Sequence, residues 1–113
     1  MKNLIQYIGT PYEELDCWGL VRTVYGEQLH IELPALPIQE QERHNWSQVK
    51  PGKELSGDLI LFRIRELKRH VGIIIGDQKM IHADEKLGVV VERYNADPWQ
   101  HKIERIYRHA RSH

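Results

Sequence analysis

"LDCWGL", residues 15–20, holds the chain's one cysteine, with an acid just before it and an apolar run just after. A lone cysteine in this setting has three readings: a small core residue, a metal ligand or a nucleophile. The local pattern sharpens the choice. Asp16 has the character of a helix N-cap, which predicts a helix from Cys17 to about Leu29. Cys17, Leu20, Val21 and Val24 fall on one face of that helix. Cys17 then sits in the first turn, where unpaired backbone N–H groups and the positive end of the helix dipole favour the reactive thiolate. Because this is also the apolar face, the sulfur should point toward whatever the helix packs on.

On the N-terminal side, "NLIQYIG" has apolar residues at helical spacing, and "TPYEEL" is a turn in which Pro11 drives Thr10 out of the helical region. On the C-terminal side, residues 30–57 lack a clear period. They read as an ordered surface loop with one helical turn in "ELPALPIQEQERHNW", followed by the turn cluster "KPGKELSGD". Then the period changes. "DLILF", "HVGIII", "KMIHA", "GVVVER" and "IERIYRH" are short β-branched runs separated by turn residues. Helices first and strands after predict an α+β fold: one domain spanning residues 1–113, with N-terminal helices packed on a central antiparallel sheet of about five strands.

Composition narrows the function classes. With 113 residues and 41% hydrophobic content the chain can bury a core. The 16 basic and 16 acidic residues balance, so there is no global basic field of the kind nucleic-acid binders carry. One cysteine cannot make an internal disulfide. No run approaches the ~20 apolar residues of a membrane span, and the opening "MKNLIQYIGTPYEE" lacks a signal-peptide core. The expectation is a chain made in the cytoplasm without a signal peptide.

A nucleophile needs a base, and the base needs a group to hold it. His70 and His82 lie 12 residues apart, with Gly76-Asp77 near the midpoint. A hairpin closing around Gly76 would set His70 opposite His82, with Val71 and Ile73 opposite Ile81 and Lys79 on the other face. A slip of one residue would send the histidines to opposite faces. A Cys17–His70–His82 triad follows, with Cys17 as nucleophile, His70 as base and His82 as its orienter. Asp84 is the alternative orienter, and the Cys17 backbone N–H is one oxyanion donor.

The motifs "GTPYEELDCWGLV", "SGDLILF", "HVGIIIG" and "MIHAD", in this order, resemble the NlpC/P60 family of cell-wall cysteine endopeptidases. The resemblance implies a papain-like fold, and no cofactor or metal is expected. It implies a peptidoglycan stem peptide as substrate, with Cys17, His70 and His82 as catalytic residues. Tyr12, Asp16 and Trp18 are its candidate substrate-side residues. Tryptophan after the cysteine is similar to the phage-tail branch of the family. This implies other tail proteins as partners and carriage in a tail or virion to the cell wall. Two further readings stay open: a structural tail-assembly protein with idle chemistry, and an acyl transferase using the same cysteine. Zinc is the chemical rival, since Cys17, His70 and His82 are a possible ligand set, although the usual close ligand pair is absent.

Overall fold

The computed structural model describes residues 1–38 and 45–112. The chain opens with a 3₁₀ turn at Leu4–Tyr7, followed by a helix α1 at Cys17–Val24. The predicted helix continues to Leu29, but its last stretch, Tyr25–Leu29, widens into a π-type turn and ends at His30 in the left-handed region. Among the described residues there are six strands: β1 Trp46–Gln48, β2 Leu59–Arg65, β3 Lys68–Gly76, β4 Lys79–Asp84, β5 Gly88–Arg93 and β6 Ile103–His109. They form one antiparallel sheet in the order β1-β6-β2-β3-β4-β5. The α+β expectation holds. The extra strand is β1, a three-residue edge piece within the stretch read as loop, too short to show a period. The helical turn expected in residues 32–46 falls partly outside the described residues.

Each face of the sheet carries a core. On the helix side, Leu20, Val21 and Val24 of α1 pack with Leu59, Leu61, Val71, Ile73, Ile81, Ala83 and Val89. On the other side, Ile60, Phe62, Ile74, Met80, Tyr94 and Ile106 form a smaller cluster with Trp99 against it. The alternation of β3 and β4 puts His70 and His82 on this second side.

Two devices set α1 against the sheet. The segment before it is laid along β5 by backbone bonds from Gly9 to Val89 and from Val89 to Thr10, at 2.8 and 3.0 Å. Gly88 permits that approach, since a Cβ there would lie 2.4 Å from the Thr10 carbonyl oxygen. At the far end of α1, the Tyr25 hydroxyl donates to the Gly57 carbonyl at 2.5 Å. The neighbouring Asp58 is wholly buried and accepts from Arg108 Nε and Nη2 at 2.9 and 2.8 Å and from the Leu55 N–H at 2.8 Å. A buried carboxylate this well paired is tolerated and fixes the start of β2 to β6.

Candidate active site

The β3–β4 hairpin is where the site forms, and its register differs from the sequence expectation. Ile73 pairs with Ile81, Ile74 with Met80 and Gly76 with Lys79. His70 and His82 are therefore not directly opposite, and Val71 does not face Ile81. The turn residues are Asp77 and Gln78, both at positive φ (52° and 56°), which moves the pairing by two residues. A two-residue shift preserves the face, so the histidines still meet, on a diagonal rather than straight across. His70 Nε2 lies 2.8 Å from His82 Nδ1. Gly72 makes room for this: a Cβ there would sit 2.8 Å from Met80 Sδ and 3.4 Å from His82 Cβ.

The ladder between β3 and β4 runs from Ile73–Ile81 to the turn and stops. Beyond it β3 stays paired with β2 down to Lys68, and β4 stays paired with β5 up to Asp84. Here α1 packs against both strands. Asp16 caps the helix, its Oδ1 accepting from the Gly19 N–H at 2.7 Å. The Val71 backbone N–H, with those of Trp18 and Cys17 itself, lies close enough to the Cys17 thiol to act on it electrostatically. Cys17 thus lies beside the residue that follows His70.

These donors pull the thiol pKa down, as the sequence predicted. Burial works the other way and is larger, and Asp16 adds to it, so the Cys17 pKa ends above the ordinary thiol value. His70 is pushed down to about 4, first by burial and then by His82, against the opposing pull of Asp84 and Glu85. His82 is wholly buried, and burial also lowers its pKa, with Glu92 opposing. The Cys17 and His70 shifts both oppose charge on that pair, against the pull of the helix dipole on the thiol.

His82, not Asp84, bonds His70. Asp84 Oδ2 is engaged with the backbone N–H groups of Lys86 and Leu87 at 2.8 and 2.7 Å. Tyr12 packs half-buried at the edge of the helix-side core, within electrostatic reach of Cys17, Asp16 and Glu85. Trp18 is not brought to a cleft: it is buried in the core and its Nε1 donates to the Pro34 carbonyl at 2.9 Å. A cleft of about 340 Å³ opens over the histidines, walled by Ile64, Lys68, Asp84, Glu85, Lys86 and Trp99. Among the described residues no three His, Cys, Asp or Glu side chains converge as metal ligands.

Two site residues escaped the sequence reading. Trp99 stacks on His70 (ring centroids 5.3 Å apart, planes at 24°) and meets His82 edge-on at 5.0 Å. Glu92 accepts the Trp99 indole N–H and sets its Oε2 3.6 Å from His82 Nε2. Trp99 has no periodic signal because it lies in a turn. Glu92 had one weak signal, an acid on the same strand face as Val90, the pairing partner of His82.

Comparison with known proteins bears on the same elements. The model of the NlpC/P60 family matches residues 5–108. The chain belongs to the NlpC/P60 family. It is 35% identical over 92 residues to murein DD-endopeptidase MepS/murein LD-carboxypeptidase of Escherichia coli strain K12, covering 81% of this chain and 48% of that relative. It is 31% identical to gamma-DL-glutamyl hydrolase of Bacillus subtilis strain 168, covering 91% of this chain and 27% of that one. The chain thus spans about half or less of the length of these relatives. An NlpC/P60 family protein from Bacillus cereus superposes with a TM-score of 0.78 at 26% identity, covering 94% of this chain and 37% of that one. The NlpC/p60 domain of peptidoglycan hydrolase SagA shares the fold, with a TM-score of 0.68 at 22% identity over 90% of this chain and 89% of that one. The papain-like NlpC/P60 fold is the α+β arrangement of α1 on this sheet.

Proposed function

We propose that this chain is a peptidoglycan stem-peptide endopeptidase that works by acyl transfer through Cys17, His70 and His82. The observation that carries the reading is the 2.8 Å contact between His70 Nε2 and His82 Nδ1, made next to Val71, whose backbone N–H acts on the Cys17 thiol. That contact occupies Nε2 of His70 and leaves Nδ1 as the atom that takes the thiol proton. The proton moves to His70 as sulfur attacks the amide carbonyl. The backbone N–H groups at the start of α1 serve the developing negative charge. His70 then gives the proton to the leaving amine, and water hydrolyses the thioester. The similarity to murein endopeptidases supports a cell-wall peptide as substrate. The tail-associated part of the reading rests on Trp18 following Cys17, and co-purification with other tail proteins would test it.

The deciding experiment is mass spectrometry of peptidoglycan fragments after incubation with the wild-type protein and with Cys17→Ala. Stem-peptide cleavage by the wild type alone is expected, with a loss of at least ~10³-fold in the variant. Equal cleavage by both proteins rejects Cys17 as nucleophile, and a product joined to an added amine selects the transferase.

A further inference from the structure

His82 carries an unusual atom. Its Nε2 is fully buried and, among the described residues, has no hydrogen-bond partner. The group it faces is the carboxylate of Glu92, at 3.6 Å. That carboxylate is itself aimed by the Trp99 indole N–H, and the same indole ring packs on both histidines. Such a gap is closed by a movement of about half an ångström, and catalytic hydrogen bonds are often this long before substrate binds.

The gap matters because a bond between two neutral imidazoles can be made in two ways. In one, His82 donates from Nδ1 to His70 Nε2. The single proton of His70 then lies on Nδ1, and His70 cannot accept a proton from a thiol. In the other, His70 donates from Nε2 to a bare His82 Nδ1, and His70 Nδ1 is free to act as base. The 2.8 Å distance does not distinguish them. A carboxylate beside His82 Nε2 does, because it attracts the N–H to that atom and empties Nδ1.

We propose that Glu92 is a positioning residue which, held by Trp99, fixes His82 and through it His70 as Nε2–H tautomers, so that His70 presents a bare Nδ1 toward Cys17. The inference rests on the assignment of His70 as the base for Cys17 and adds the group that sets the direction of the histidine pair. Glu92 is about one-third exposed at its position on β5. Water can therefore partly replace it, so its removal weakens turnover without abolishing it.

The test is nitrogen-15 NMR of the imidazole nitrogens at neutral pH in the wild type, Glu92→Gln, Glu92→Leu and Trp99→Phe, with kcat and KM on peptidoglycan fragments. The wild type should show both histidines protonated at Nε2. Glu92→Leu should move population to the Nδ1–H forms and lower kcat on the order of 10²-fold, with KM nearly unchanged. Glu92→Gln keeps an acceptor oxygen and the side-chain shape, and should recover part of both signals. Trp99→Phe should resemble a milder Glu92→Leu. Unchanged tautomers in Glu92→Leu overturn the proposal. If that variant does not fold, Glu92→Ala takes its place, and unchanged tautomers in it overturn the proposal equally. The NMR readout needs no substrate. A wild type inactive on peptidoglycan with Glu92-dependent tautomers removes the functional reading and leaves this one standing.

Discussion

The two ends of the β3–β4 hairpin are made from the same pair of strands and do opposite jobs. Toward the turn, Ile73–Ile81 and Ile74–Met80 are laddered, and their side chains fill both cores. Toward the other end, the backbone ladder stops, the Val71 N–H acts on the Cys17 thiol, and two imidazoles bridge the second face. The closed end gains stability from burial and backbone pairing. The open end gives up a stretch of ladder, and what it gains is the pair of histidines beside Cys17. The site thus sits where the β3–β4 ladder ends, held by the paired part behind it.

The strongest way to break this contrast is to weaken the closed end. Ile81→Ala removes a wholly buried side chain and should cost about 2–5 kcal/mol of stability. Activity per folded molecule should stay near wild type at low temperature. Denaturant melts read alongside initial rates check this, and a loss of rate without a loss of stability would show that the two ends are not separable.

Acid probes the open end. His70 has its pKa lowered from 6.5 to about 4 in the folded state. An unfolded chain therefore binds its proton first as pH falls. The full benefit of the neutral buried ring is present above about pH 6.5 and is lost as pH drops through about 4. The shift corresponds to roughly 3 kcal/mol. Its neighbours are His82 and Lys68, which push the pKa down, and Asp84 and Glu85, which pull it up. His70→Gln should flatten this part of the stability–pH curve, measured by melts between pH 7 and 4. An unchanged curve would assign the acid sensitivity elsewhere.

The smallest effect expected is at the start of α1. Asp16→Ala removes the cap to the Gly19 N–H and should cost about 1 kcal/mol. Because Asp16 also raises the Cys17 pKa, its removal should make the thiol titrate lower, which the pH dependence of alkylation would register.

Much of this was legible in the sequence, for identifiable reasons. Asp16 before an apolar-faced run is a local signal, and a cap is a local structure. The even spacing of His70 and His82 gave their shared face, since face depends on parity and survives a shift of two. Register did not survive, because it is set by the turn. Gly76 looked like the corner, yet Asp77 and Gln78 take the left-handed conformations, and glutamine seldom advertises that state. The opposing effect of burial on the thiol was not legible, because the dipole and the cap are local, whereas burial depends on what the sheet places over Cys17. Glu92 and Trp99 reach the histidines only through the folded β4–β5 pairing and the turn after it, so no spacing rule could join them.

The strand order carries one more consequence, for the making of the protein. β6 is last in sequence but interior in the sheet, between β1 and β2. Asp58 has Arg108 as its partner, fifty residues further along. During synthesis, β2 through β5 can emerge and pair while the slot beside β2 stays empty. Until β6 arrives, the carboxylate destined for the interior has no guanidinium and the edge of β2 is open to other strands. The nascent chain therefore passes through a vulnerable interval that closes only when residues 103–109 leave the ribosome, and a chaperone that shields β2 would act in that interval.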